Sequence, residues 1–376
     1  MSLRVAVVTE SFLPQVNGVT NSILRILETF KQSEIEALVI APTSPSPKHL
    51  GFEVHQAVNF PMLQFAVGVP SPSITRELDS FAPDLVHVAA PFMLGAQAIG
   101  WANRNSVPSV AIYQTDVAGY LQRYNLAFAR PVMEKLLGSI HQGATINLAP
   151  TRASVEYLES IGVPRVGLWG RGVDLDLYHP KRKLDDSSLS LRKVVSPTGR
   201  PIIGFVGRLA QEKQVHRLAE LLDLDAGFLV VGDGPEAANL KALFGSRVHF
   251  TGLLGGVELA NAYAAIDVFV HFGEEETFGQ TIQEAQATSI PVVAPNSGGP
   301  TELIESEVSG FLVDRGQSFR PVVAGLLADA SLRARVGEAG RRRVSDKSWR
   351  ANNNQLLSHY QSALSLYRSG ASVELA

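Results

Sequence analysis

Two carboxylates, Glu276 and Glu284, stand eight positions apart in the stretch Gly273-Glu-Glu-Glu-Thr-Phe-Gly-Gln-Thr-Ile-Gln-Glu-Ala-Gln-Ala-Thr-Ser-Ile-Pro-Val-Val-Ala294. The apolar run Val268-Phe-Val-His271 ahead of them reads as a buried strand. From Phe278 the pattern turns helical, with Ile282, Ala285 and Gln286 at i, i+3 and i+4 spacing. Pro291-Val-Val-Ala294 is the next strand, followed by the Gly298-Gly-Pro300 turn. The acidic cluster therefore sits at the carboxyl end of a strand and opens a helix, which is where an α/β sheet places ligands. Free N–H groups of Phe278, Gly279 and Gln280 are expected there, and helix starts hold phosphate through such groups and the helix dipole. A carboxylate beside a phosphate is electrostatically awkward, so the chemistry open to Glu276 is to accept hydrogen bonds from sugar hydroxyls. Taken singly, Glu276 is also a favourable acid at a helix N-terminus and Glu284 a solvated helix residue. Together, with Phe-Gly between them and a strand on each side, they favour a binding site.

A cationic counterpart occurs in Pro201-Ile-Ile-Gly-Phe-Val-Gly-Arg-Leu-Ala-Gln-Glu-Lys213. A strand delivers Gly207 and Arg208 at its carboxyl end, and Lys213 follows five residues later, before a helix from Val215. A flat guanidinium grips two oxygens and an ammonium adds a point charge, so the pair suits a diphosphate; as solvated loop cations they would need no partner. Near the N-terminus, Leu3–Thr9 is a buried strand and Val19–Phe30 a helix. The loop Glu10-Ser-Phe-Leu-Pro-Gln-Val-Asn-Gly18 joins them. One glycine, Gly18, stands where a dinucleotide fingerprint has three, so the phosphate reading of this loop is weak and a plain turn is its rival. A further loop, Gln114-Thr-Asp-Val-Ala-Gly-Tyr120, follows the strand ending at Tyr113. There Asp116 either binds an acceptor hydroxyl or caps the next helix. Asp174-Leu-Asp176 and Asp223-Leu-Asp225 have the Asp-x-Asp form of some metal sites. Two occurrences among 36 acids are close to chance, and no metal is read.

Glu-x7-Glu followed by Glu-Ala and Pro-Val-Val-Ala resembles the donor-site signature of retaining glycosyltransferases of family 4, which have the two-domain GT-B fold. That resemblance implies that Glu276 meets the hydroxyls of a donor sugar and Glu284 the ribose of its nucleotide. Gly-Arg-Leu-x-x-Glu-Lys, here Gly207 to Lys213, matches the family's diphosphate motif. Asn-Gly-Val matches the loop in which a glycine, here Gly18, lets the backbone approach donor and acceptor. The implied catalytic set is Arg208, Lys213 and Glu276. The implied donor-binding set is Gly18, Gly207, Leu254 beside the base, Phe278, Gly279, Gln280, Thr281 and Glu284. Candidates for the acceptor site are Gln114, Asp116 and Tyr120. Many relatives carry histidine where this chain has Gln114, which cannot act as an acid or base near neutral pH. Glu10-Ser-Phe-Leu-Pro, Asn17-Gly-Val-Thr-Asn and Tyr113-Gln-Thr-Asp-Val-Ala-Gly look like a narrower subgroup, the actinobacterial-type α-mannosyltransferases. Those use GDP-mannose on diacylglycerol-based envelope glycolipids.

The elements that must hold these residues alternate strand and helix along the chain. Further strands fall near Ile35–Ala41, Leu85–Val88, Ser109–Tyr113, Ala144–Leu148, Phe228–Val231, Val248–Thr251 and Gly310–Val313. The rhythm argues an α/β protein with parallel sheets covered on both faces. The 376 residues suit two domains. The predicted division is an N-terminal Rossmann-like acceptor domain over 1–180 and a linker over 181–200, charged, serine-rich and bounded by Pro180 and Pro201. A nucleotide-sugar domain over 201–347 follows, then a terminal helix over 348–376 crossing back to the N-domain. Leu356, Tyr360, Leu364 and Tyr367 form one stripe of that helix. Trp169-Gly-Arg-Gly-Val-Asp174 resembles the family's interdomain loop. Phe60–Pro70, apolar but broken by Pro and Gly, either packs on the core or is an exposed loop for a lipid acceptor.

Composition bounds the function. Apolar content of 45% and charge of 18% are ordinary for a globular protein, and the net charge of −3 leaves no basic footprint for nucleic acid. With no cysteine there are no disulfides or thiolate metal sites, which fits the cytoplasm. Leu3-Arg-Val-Ala-Val-Val8 reads as a first strand rather than a signal peptide, and no apolar stretch spans a membrane. The reading is a cytoplasmic glycosyltransferase, in peripheral contact with the inner face of the plasma membrane. Its co-substrate is a nucleotide sugar, GDP-mannose by the resemblance, its partner a glycolipid acceptor, and it uses no cofactor or metal. Its rivals are a UDP-sugar-dependent relative, a sugar-nucleotide epimerase and a non-catalytic nucleotide-sugar-binding protein.

Overall fold

The computed structural model describes residues 2–15, 17–62, 65–114 and 130–369. The chain divides into two compact units, Met1–Arg171 with Trp349–Ala376, and Gly172–Ser348. Asp116 and Tyr120 lie outside the described residues.

In unit 1 the strands β1 (Arg4–Thr9), β2 (Glu36–Ala41), β3 (Lys48–His49), β4 (Phe52–Gln56), β7 (Leu85–Ala89), β8 (Ser109–Ile112), β9 (Ile146–Ala149) and β10 (Val166–Leu168) form one sheet. A separate antiparallel hairpin is made by β5 (Asn59–Met62) and β6 (Phe65–Gly68). The sheet order is β10-β9-β8-β7-β1-β2-β4-β3, parallel except for the short edge pair β3–β4. Strand β1 is central, paired with β2 on one side and β7 on the other, and the chain reverses its direction of winding between β1 and β7. All of Val5 to Val8 are fully buried, as a strand covered on both faces requires. Helix α1 (Gly18–Gln32) starts where the Asn17 side chain accepts from the Val19 and Thr20 N–H groups. Its buried face includes Val19, Ile23, Ile26, Leu27 and Phe30, the spacing that one side of a helix gives. Helices α2 (Pro72–Phe81) and α3 (Met93–Arg104) follow.

The terminal helix, Trp349–Ser369, belongs to unit 1. Tyr360 is hydrogen-bonded to buried His87 at 2.7 Å, and Asn353 donates to the Arg25 carbonyl at 2.9 Å. Burial holds the His87 imidazole down at about 3, so it packs there neutral. The buried stripe runs Leu356, Tyr360, Ala363 and Leu366, while Leu364 is only partly covered and Tyr367 is exposed. The sequence pattern misjudged the last turn because a tyrosine was counted as apolar.

Unit 2 carries the strands β11 (Ile202–Val206), β12 (Gly227–Val231), β13 (His249–Gly252), β14 (Val268–Val270), β15 (Val292–Pro295) and β16 (Phe311–Val313). Their order is β13-β12-β11-β14-β15-β16, all parallel, so the winding reverses between β11 and β14. The predicted linker over 181–200 is not one. A 3-10 turn, Pro180–Leu184, and a helix, Asp186–Val195, occupy it, and the division falls at Arg171 and Gly172 instead of after 180. That helix docks on unit 2: Ser188 donates to the Asn261 carbonyl at 3.0 Å, and Arg192 reaches Asp267 at 2.9 Å. Its serine and charged residues, read as linker composition, are anchors.

Candidate active site

The reversal point of unit 2 brings together two loops whose residues are far apart in sequence. Lys213 ends a 3-10 turn, Gln211–Lys213, in the loop after β11, and Glu276 lies in the loop after β14. Lys213 Nζ sits 2.5 Å from Glu276 Oε2, with both side chains largely covered. The predicted cation and the predicted carboxylate are therefore an ion pair, in which the acid's charge is offset by the ammonium. Arg208 shares the loop after β11. Its neighbour Leu209 donates to the Asp233 carbonyl at 2.9 Å, and Gly207 donates to the Val231 carbonyl at 3.0 Å. A Cβ on Gly232 would stand 1.9 Å from the Gly207 carbonyl oxygen, so the loops after β11 and β12 touch backbone to backbone.

The helix that follows Glu276 runs Gln280–Ala287, with Gly279 at its N-cap in the left-handed region at φ 98°. The helix thus starts two residues later than predicted. Its leading N–H groups are those of Gln280 and Thr281, not Phe278, which is buried and lies outside the helix. The Gln280 side chain donates to the Gly172 carbonyl at 3.0 Å. Gly299 donates to the Glu276 carbonyl at 2.7 Å, and a Cβ on it would lie 2.3 Å from the Phe278 carbonyl oxygen. The Gly298-Gly299 turn is thus the backing of the Glu276 loop, closer than any side chain allows.

Glu284 is on the same helix and accepts a 2.7 Å hydrogen bond from Tyr263, whose ring is fully buried. Burial, and then the Glu284 charge, push the Tyr263 phenol well above its usual range, so it stays a donor. Leu254 is partly buried against the core cluster that contains Tyr263 and Ile282. His271, at the end of β14, is buried with its Nε2 3.7 Å from Glu276 Oε2. Burial first, with Glu276 pulling the other way and Lys213 adding to the burial effect, brings its imidazole down to about 4, so it is neutral at physiological pH. Tyr263 and His271 escaped the sequence reading, because an aromatic in an alanine-rich helix and a histidine closing an apolar strand both look like core.

Unit 1 holds the remaining predicted residues. A Cβ on Gly18 would lie 2.2 Å from an Arg171 guanidinium nitrogen, so the glycine makes room for a buried arginine of its own unit. Gln114 follows β8 and is 4% exposed. Glu10, to which the sequence assigned no role, follows β1 and accepts from the Leu94 N–H at 2.7 Å and the Gly95 N–H at 3.3 Å, at the start of α3.

Three of the four Asp-x-Asp residues are otherwise engaged. Asp174 accepts from the Leu177 N–H at 2.9 Å, Asp223 pairs with Arg320, and Asp225 with Arg200 at 2.9 Å. Among the described residues no three His, Cys, Asp or Glu cluster as metal ligands.

Residues 16–177 match the family model "Glycosyltransferase Family 4", and residues 187–343 match "Glycosyl transferases group 1". A GDP-mannose-dependent alpha-mannosyltransferase of Corynebacterium glutamicum is 43% identical, over 97% of this chain and 90% of its own. One of the same description from Mycobacterium tuberculosis is 42% identical over 96% of both chains. HepE of Anabaena, solved in complex with UDP, superposes with a TM-score of 0.76 at 20% identity, covering 96% of this chain and 100% of its own. That likeness bears on the fold, which is GT-B.

Proposed function

The chain belongs to glycosyltransferase family 4, and on that premise we propose that it transfers mannose from GDP-mannose to a hydroxyl of a glycolipid acceptor, with retained configuration. The donor rests on the two relatives described as GDP-mannose-dependent, each covered over nine-tenths or more of its length. The observation that carries the chemistry is the Lys213–Glu276 pair at the reversal point of unit 2.

In this reading the donor diphosphate sits between the loop after β11 and the start of the helix Gln280–Ala287. Arg208, Lys213 and the Gln280 and Thr281 amides stabilise the charge that builds on it. Each well-placed donor lowers the barrier by up to about 3–4 kcal/mol. Glu276 holds Lys213 in place and orients the sugar through its hydroxyls. Glu284, fixed by Tyr263, accepts from the ribose. The acceptor oxygen forms the new bond to the anomeric carbon as the bond to the diphosphate oxygen breaks. The acceptor's proton passes to that departing phosphate oxygen, on the same face of the sugar. No side chain is needed to carry it, and glutamine at position 114 is compatible with that. The diphosphate charge is met by the protein's own cations, so binding without added metal is part of the proposal. The acceptor class comes from the resemblance of the Glu10–Gly18 and Tyr113–Gly119 runs. No helix among the described residues is long and apolar enough to cross a membrane. A cytoplasmic protein in peripheral contact with the membrane completes the proposal.

Calorimetric titration with GDP and with UDP, with and without magnesium, tests the donor. Preference for GDP that is indifferent to metal is the expected result; preference for UDP discards mannose as the sugar. Turnover of GDP-mannose that requires added acceptor separates a transferase from an epimerase.

A further inference from the structure

We propose that Glu10 is an acceptor-binding residue, its free carboxylate oxygen receiving a hydroxyl of the sugar headgroup. This rests on the transferase reading above. In an open parallel sheet the ligand crevice lies outside the carboxyl ends of the strands where the winding reverses. In unit 1 that place is between β1 and β7. Glu10 is the residue immediately after β1, and its Oε1 is tied to the Leu94 and Gly95 N–H groups of the helix that follows β7. The carboxylate therefore bridges the two loops that border the crevice.

Its second oxygen, Oε2, is shielded from solvent and has no hydrogen-bond partner among the described residues. Glu10 makes no ion pair among the described residues. A carboxyl oxygen buried without a hydrogen-bond partner is unfavourable, because its interaction with water is lost and not replaced. Capping α3 does not call for that arrangement, because a serine or asparagine caps with one oxygen and leaves none stranded. The missing donor is supplied by a ligand hydroxyl.

The surroundings narrow the ligand further. The loop also carries uncharged polar side chains: Asn17 donates to Ser11 Oγ at 2.7 Å, and Ser11 Oγ lies 3.2 Å from Thr20 Oγ1. Next to the Glu10-bound amides, Met93 is part-exposed, and a Cβ on Gly68 of the hairpin would overlap Leu94. The same hairpin region exposes Val58 and Phe60. Carboxylate and hydroxyls beside an apolar rim fit a hydroxylated headgroup carrying acyl chains.

The test is Glu10→Gln, which keeps an acceptor oxygen for the Leu94 and Gly95 amides but puts an NH2 donor where Oε2 stood. Transfer from GDP-mannose to a monohexosyl diacylglycerol in mixed micelles is measured beside calorimetric GDP affinity and the thermal midpoint. The expected result is a roughly 10–100-fold fall in kcat/KM for the acceptor, with GDP affinity and midpoint at pH 6 unchanged. Glu10→Ala, which also loses the cap, lowers the midpoint as well. Acceptor kcat/KM within twofold of wild type in Glu10→Gln overturns the assignment while leaving the transferase reading intact. So does a loss traced wholly to GDP affinity or folding. If wild type prefers UDP, the donor reading falls and the same comparison is run with the UDP-sugar it turns over.

Discussion

At the reversal point of unit 2 an ammonium and a carboxylate meet, Lys213 with Glu276, whereas at that of unit 1 a carboxylate, Glu10, meets backbone amides. The two units use the same device, a side chain bridging the loops on either side of the central strand, with opposite electrostatics. In unit 2 the carboxylate is neutralised, and Lys213 and Arg208 lie in one loop, so the crevice suits an anion. In unit 1 no cation pairs with Glu10 among the described residues, and burial pushes its carboxyl up to about 7 despite the Gly95, Leu94 and Phe92 amides that favour the charged form. On the proposal above, that crevice takes a neutral polyol. One sheet architecture thus presents a paired ammonium at one crevice and a carboxyl held by amides at the other.

The contrast breaks most visibly at Lys213. Lys213→Ala should lower turnover by about 10²–10³-fold while circular dichroism stays that of wild type. A rate near wild type would remove the ammonium from the mechanism and leave unit 2 without its distinguishing charge. Next in size is the Glu284–Tyr263 contact. Glu284→Ala should weaken GDP binding about tenfold or more, and Tyr263→Phe about 3–10-fold through loss of one hydrogen bond to a charged group. Equal GDP affinity in all three proteins would show that Glu284 does not touch the nucleotide. The smallest effect sharpens the unit 1 side. A carboxyl raised from 4.5 to about 7 on folding leaves the folded state with more bound protons across that window. Its stability contribution is most favourable below pH 4.5 and declines as pH rises to 7, by on the order of a few kcal/mol. Glu10→Gln removes that decline. Its thermal midpoint relative to wild type should therefore be higher at pH 8 than at pH 5, and a constant difference would mean that Glu10 is not desolvated.

Much of the site is legible along the chain because its parts are local. A strand end, a glycine and a charged residue within a dozen positions name the loops after β11 and β14. The helix start slipped by two residues because Gly279 adopts a left-handed conformation that spacing does not reveal. The stretch 181–200 was misread because composition reports solubility, not whether serine and arginine find partners across the unit, as Ser188 and Arg192 do.

By itself the sequence determined which residue types end which strands, and hence the α/β class, a division into two units and the charged residues on offer at the crevice of unit 2. The tertiary structure alone decided who faces whom. Lys213 and Glu276 are 63 positions apart, Tyr263 and Glu284 are 21, and Glu10 and Leu94 are 84. Strand order is set by burial summed over whole sheets, not by any local spacing, and it is strand order that carries those pairs into contact.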